Sequence, residues 1–168
     1  MANIQFVDSK DEVIGSGTKQ EAIEGGIRHR VSRIFIVNPA GDILFQKRAA
    51  HVPSQPGKWA ESAAGHVDEG ETYEEAARRE LREEIGLSDI PLTEVGYFYY
   101  EESTELPPRK RFNRVYTGTF DGEVQGNPEE VSEVQWVSKV EADEWMEKHP
   151  EEFTVGCLKA YKFVRRLL

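Results

Sequence analysis

Hydrophobic positions in this chain fall mostly into short runs with an alternation suited to β-strands, and into one stretch with helical spacing. Ile4, Phe6, Val13 and Ile14 flank the polar stretch Asp8–Asp11 and predict a hairpin over residues 4–17. Lys19 to Gly26 is polar and ends in two glycines, which reads as a helical turn and a loop. Val31 to Asn38 is rich in β-branched and aromatic residues and predicts a strand. Pro39-Ala40-Gly41-Asp42 is its turn, and Ile43 to Lys47 is the hairpin partner. Pro53, Pro56 and Gly57 make residues 49–58 a loop, and Gly65 to Gly70 reads as a second one. Thr72 with Glu75 three positions on fits a capping box, and Gly86 closes the helix that follows. Val95 to Tyr100 and Phe112 to Phe120 predict two strands joined by the polar stretch 101–110, and Val134 to Val137 another. Helices over 141–148 and 155–168 are separated by His149-Pro150. Strands before and after one central helix indicate an α/β fold, a mixed β-sheet between α-helices.

Composition is consistent with one packed domain. The chain has 168 residues, 38% of them hydrophobic, with three Trp, six Tyr and eight Phe. Its longest apolar run near the first clear strand, Ile34 to Val37, is too short for a membrane span. The first ten residues carry no export signal, so the expected location is cytoplasmic. The lone Cys157 sits in an apolar segment and reads as a small core residue. The formal net charge of −10 argues against a nucleic-acid polymer or an anionic membrane as partner. An acidic chain that handles phosphates would need metal ions as intermediaries.

The chemistry concentrates between Gly65 and Leu87. At about 100° per residue, Glu80, Glu83 and Glu84 share one sector of the central helix. Tyr73, Ala77, Leu81 and Ile85 form an adjacent apolar stripe, so the acids lie at the edge of the core. Such a cluster is either a solvated helix face or a hard-oxygen site for Mg²⁺ or Mn²⁺.

The spacing Gly65, five residues, Glu71, seven residues, then Arg79-Glu80-Leu81-Arg82-Glu83-Glu84-Ile85-Gly86-Leu87 resembles the Nudix box, with every fixed position filled. A weaker likeness extends from about Gly26 to Val137. The resemblance implies a Nudix fold, with residues 1–26 as an N-terminal hairpin extension, 27–137 as the core and 138–168 as C-terminal helices. It implies Mg²⁺-dependent (or Mn²⁺-dependent) attack by water at a phosphorus of a nucleoside diphosphate derivative or other small organic diphosphate. Glu80 and Glu84 would be the principal metal ligands, Glu83 would help directly or through water, and the Gly65 carbonyl would complete the site. Glu71 would pair with Arg79 and lock the loop onto the helix. The general base would be a box glutamate or one of Glu129, Glu130 and Glu133, with Glu130 ranked first. A homodimer is compatible with the resemblance.

Lys47, Arg48, Lys58, Arg109, Lys110, Arg111 and Arg114 are candidates for holding phosphates, or they balance Glu101, Glu102 and Glu105. Tyr97 to Tyr100 either stack on a base or form a half-buried strand. Gly26–Arg30 and Trp59–His66 are similar to the isopentenyl diphosphate isomerase branch of the superfamily and to the YfcD-like hydrolases near it. His29 and His66 fall where those isomerases place metal-binding histidines. The isomerases need a cysteine immediately before the box glycine, where this chain has Ala64. They also need a glutamate near the start of the 112–120 strand, where it has Phe112, Asn113 and Arg114. Hydrolysis is therefore favoured over isomerisation. A Nudix module that binds a nucleotide without cleaving it is a further alternative.

Overall fold

A computed structural model describes residues 2–102 and 107–168. Glu105, one of the acids considered above, lies outside the described residues. The elements in order are β1 (Ile4–Val7), β2 (Val13–Gly17), α1 (Lys19–Glu24), β3 (His29–Val37), β4 (Ile43–Arg48), β5 (Trp59–Ala60), β6 (Ala63–His66), α2 (Tyr73–Ile85), β7 (Thr93–Glu102), β8 (Arg109–Thr119), β9 (Val131–Val137), α3 (Lys139–Lys148) and α4 (Val155–Val164). A 3-10 turn at Pro150–Glu152 links the last two helices.

The strands form one mixed sheet that splays from the β3–β4 turn. β3 and β4 pair only at Val37 and Ile43, then diverge to different partners. β3 runs parallel to β8 from His29/Arg111 to Val37/Thr119 and antiparallel to β6, while β4 takes β9 and β5. The parallel β3–β8 pair needs a long crossover, and the chain from β4 through β6, α2 and β7 supplies it. The hairpin joins this half through β1 on β3.

Two cores follow from the two faces. α2 packs Tyr73, Ala77, Leu81 and Ile85 against Ile34, Ile36 and Tyr116. The C-terminal helices pack Met146, Cys157 and Tyr161 against Phe35, Phe45 and Val115. Alternation along β3 thus assigns Ile34 and Ile36 to one core and Phe35 to the other. Cys157 is fully buried, as expected of a small core residue.

Several boundaries differ from the sequence expectation, among them the start of β9 at Val131 rather than Val134. Ala63–His66 is a strand, so Gly65 is held by the sheet rather than by a loop. Cross-strand pairing extends β7 through Glu102 and starts β8 at Arg109, placing Glu101 and Lys110 in strands. The last helix ends at Val164, short of Leu168. No helix among the described residues is long and apolar enough to cross a membrane.

Candidate functional site

A cleft of about 400 Å³ opens where β3, β6 and β8 meet the acidic edge of α2 and the start of α4. α2 is fixed at both ends. Thr72 and Glu75 form the reciprocal capping box, and Gly86 closes the helix at φ 69°, a left-handed conformation that glycine adopts without steric cost. With the apolar stripe buried, the neighbouring row Glu80 and Glu84 is carried into the wall of the cleft. Their exposures are 9% and 4%. Glu83, one step further round, keeps its side chain 47% exposed.

Arg79 organises the acids. Its Nε and Nη2 donate to the two oxygens of Glu71 at 2.8 and 2.9 Å, Nη2 also donates to the His66 carbonyl at 2.9 Å, and Nη1 donates to Glu80 Oε1 at 2.6 Å. Glu83 Oε2 lies 3.4 Å from Nη1. Glu71 in turn accepts from the Asp68 backbone N–H at 3.0 Å. The Glu71–Arg79 lock therefore ties the 67–72 loop to the helix. Exchanging Arg79 for Lys keeps the charge but loses the fork. Activity is expected to fall about 10–100-fold, the usual effect of disturbing a group that orients ligands, and steady-state kinetics of Arg79→Lys check this.

Gly65 meets Glu80 at close range. A Cβ there would lie 1.9 Å from Glu80 Oε1, so only glycine leaves room for this carboxylate against β6. Glu84 Oε2 accepts from the Ala64 backbone N–H at 3.2 Å and from the Gln46 side-chain amide. Burial pushes the Glu80 carboxyl up to about 7 and Glu84 well above the usual carboxylate range. Two buried carboxylates, of which Glu80 is paired with Arg79 and packs against Gly65, are hard-oxygen donors suited to Mg²⁺ or Mn²⁺. Glu80, Glu83 and Glu84 all line the cleft, yet they are not drawn into one cage. Among the described residues the trio of acidic or imidazole groups with ligating atoms within 4.8 Å of one another is the exposed His149, Glu151 and Glu152.

The three candidate bases fall in different settings around the start of β9. Glu130 lines the cleft, and its field contributes to the raised pKa of both Glu80 and Glu84. Glu129 is exposed and its carbonyl accepts from His51. Glu133 stands on β9 opposite Lys47 and is also exposed.

The NUDIX domain profile matches residues 27–155. The chain belongs to the Nudix family. Isopentenyl-diphosphate Delta-isomerase of Serratia proteamaculans is 36% identical over 159 residues, covering 94% of this chain and 88% of that one. The uncharacterized Nudix hydrolase YfcD of Escherichia coli is 32% identical over 157 residues, covering 94% and 83%. Among solved structures, DR0079 of Deinococcus radiodurans superposes with a TM-score of 0.81 at 25% identity, covering 98% of each chain. The complete box, on a fold shared with Nudix hydrolases, identifies the chain as a Nudix hydrolase.

Two positions where the isomerases need a cysteine and a glutamate carry other residues in this Nudix chain. Ala64 offers no thiol. Asn113 is committed to structure, its Oδ1 accepting from Arg33 Nε at 2.9 Å and its amide donating to the Arg111 carbonyl at 3.0 Å. The paired histidines are buried, with ring centroids 5.2 Å apart. His29 Nδ1 donates to the Ile27 carbonyl at 2.9 Å, and neither Nε2 has a hydrogen-bond partner. Burial pulls His29 down to about 4 and His66 well below the usual imidazole range, so both rings are neutral.

Strand alternation divides the basic candidates. Arg48, Arg109 and Arg111 line the cleft; Lys47, Lys58, Lys110 and Arg114 do not. Arg114 pairs with Glu94 at 2.9 Å and lies over the rings of Tyr73 and Tyr97 on the far side of the sheet. Tyr97 and Tyr99 pack on Phe112, with centroids 6.0 and 4.7 Å away. None of Tyr97, Phe98, Tyr99 and Tyr100 lines the cleft; they stand on the partly buried strand β7.

Sequence reasoning missed Lys19, Arg33 and Glu61 at this site. Arg33 had a signal: a lone cation within the run Val31 to Val37 cannot be buried without an acid, and Glu61 is that acid.

Proposed function

We propose that residues 1–168 act as one unit that hydrolyses a small-molecule diphosphate with Mg²⁺ or Mn²⁺, by attack of water at phosphorus. The observation that carries this reading is the burial of Glu80 and Glu84 beside Gly65, with Arg79 holding the neighbouring acids. Glu80, Glu84 and the Gly65 carbonyl would hold the cation, with Glu83 joining directly or through water once released from Arg79. When bound, the cation neutralises diphosphate oxygens and lowers the pKa of the attacking water.

The chain's own groups supply the remaining requirements. Glu130, half-buried in the lining of the same cleft, accepts the proton of the attacking water. Arg79 and Glu71 keep the helix and the 67–72 loop from moving apart. The positions of Ala64 and Asn113 favour hydrolysis over isomerisation of an isopentenyl-type diphosphate.

The test is product release from a panel of diphosphates with Mg²⁺, with Mn²⁺ and with chelator. Phosphorylated product is expected only with metal, and none from any substrate would defeat the reading. Glu130→Gln is expected to lower kcat about 10²–10⁴-fold, the usual contribution of a general base, with KM little changed. Unchanged kcat would remove Glu130 from this role. Deuterium uptake from heavy water into isopentenyl diphosphate would favour the isomerase instead.

A further inference from the structure

The Glu71–Arg79 lock is itself held, and the N-terminal hairpin holds it. β1 lies along the loop that follows β6. Gln5 N–H donates to the Val67 carbonyl at 3.0 Å, Glu69 N–H donates to the Asn3 carbonyl at 2.8 Å, and Ile4 bridges Asp68 in antiparallel fashion. The side chain of Gln5 adds to this backbone frame although it is only 5% exposed. Its Nε2 donates to the Asp68 carbonyl at 3.1 Å and to the Glu71 carbonyl at 2.6 Å, while its Oε1 accepts from Arg30 Nη1 at 2.8 Å. The amide fits one way round, because a guanidinium only donates and carbonyls only accept. Asp68 and Glu71 are the first and last residues of a turn closed by Glu71 N–H on the Asp68 carbonyl at 3.0 Å, so Gln5 grips that turn at both ends.

Behind Gln5 stands a buried ion pair. Arg30 Nε donates to Asp11 Oδ1 at 2.7 Å, with side chains 17% and 7% exposed, and Nη2 donates to the Asp11 carbonyl. Asp11 lies between β1 and β2 with φ 64°, a left-handed conformation that aspartate adopts more readily than most side chains. Its Oδ2 accepts from the hydroxyl of Tyr73 at 2.9 Å, and Tyr73 is the first residue of α2. Asp11 therefore reaches the box loop through Arg30 and Gln5, and the start of the helix through Tyr73. An apolar side chain at position 5 would fill the same space without losing hydration. The amide contributes direction.

We propose that Gln5 is a positioning residue of the hydrolase: by holding the Asp68 and Glu71 carbonyls it sets where Glu71 keeps Arg79, and so where Arg79 keeps Glu80. The hairpin is then part of the catalytic unit rather than an appendage to it. This role rests on the metal-dependent hydrolase reading.

Gln5→Glu is the deciding variant. It keeps the length and the Arg30 contact, and, ionised beside Arg30, it presents acceptors to two carbonyls that need donors. Mn²⁺ binding to the full chain, followed by the electron paramagnetic resonance of the free ion, is expected to weaken about tenfold, the low end for disturbing a group that orients metal ligands. With a diphosphate that the parent cleaves, kcat should fall while KM changes little. Combined with Arg79→Lys, Gln5→Glu should weaken Mn²⁺ binding little further, since the lock it supports is already loosened. Met146→Ala, which opens a cavity in the core on the other face of the sheet, should lower the melting temperature and bind Mn²⁺ like the parent, which separates positioning from stability. If Gln5→Glu does not fold, Gln5→Met, uncharged and of similar length, carries the test.

Parent-like Mn²⁺ affinity in the Gln5 variants, or a loss in the double variant equal to the product of the two single losses, overturns the positioning role while the hydrolase stands. A parent chain that binds no Mn²⁺ and cleaves no diphosphate defeats the hydrolase reading, and the positioning role with it.

Discussion

Replacing Glu84 by Gln is expected to lower metal-dependent turnover about 10²–10⁴-fold, equivalent to losing several kcal/mol of transition-state stabilisation, while raising the melting temperature of the metal-free protein. The two signs differ because Glu84 is buried and its ionised form is disfavoured by burial and by the fields of Glu80 and Glu130. Gln keeps an oxygen for the Ala64 N–H and the Gln46 amide but removes the charge.

Glu80 gives the same effect a pH window. Its carboxyl rises from an ordinary 4.5 to about 7 on folding, so the folded chain retains a proton that the unfolded chain releases. The associated stability is fully present below pH 4.5 and is lost as pH rises through about 7. Mg²⁺ or Mn²⁺ should restore it at and above neutral pH, because the cation compensates the buried negative charge and displaces any proton the carboxyls still hold. Melting temperatures against pH, in chelator and in metal, check both parts. Undiminished turnover in Glu84→Gln, or a flat metal-free profile, would contradict this account of the site.

The second large effect concerns the cleft floor. Arg33 and Glu61 are 5% and 0% exposed and form a buried ion pair. Arg33 also donates to Asn113 at 2.9 Å. Arg33→Met should cost about 3–5 kcal/mol, because it leaves Glu61 ionised in the interior without a partner. For a chain of this size that is a fall of about 6–20 °C in melting temperature. Adding Glu61→Leu should recover most of the loss, since no unpaired charge remains. Gly156 explains how α4 approaches so closely: a Cβ there would lie 2.3 Å from Arg33 Nη2. Thermal melts of the single and double variants decide the matter, and a double variant as unstable as Arg33→Met would refute the charge argument.

Much of this was legible without coordinates. α2 announced both of its ends through Thr72, Glu75 and Gly86. Its apolar stripe and the box spacing fixed which side of the helix carries the acids. Glu71 with Arg79 was equally readable, because a pattern of short range in sequence is short range in space. Longer-range features were not. Nothing local showed that Ala63–His66 would add to β3 as a strand, since four small or polar residues have weak strand preference and pairing makes them one.

The division of the basic residues shows the same limit. Arg109, Lys110, Arg111 and Arg114 read as a single cluster, but strand pleating turns Arg109 and Arg111 toward the cleft and Arg114 toward Glu94. Their boundary lay inside a stretch read as loop, where no alternation could be assigned.

Sequence alone determined the family, the apolar and acidic sides of α2, and the glycine and arginine that hold the acids, because those relations repeat every turn of one helix or span one short loop. Only the tertiary structure decided which cations share the cleft with the acids, that Arg33 finds Glu61, and that Glu80 and Glu84 are dry while Glu83 is wet. Those outcomes depend on strands distant in the chain meeting in register, and burial, which sets each charge's energy, exists only once they have met.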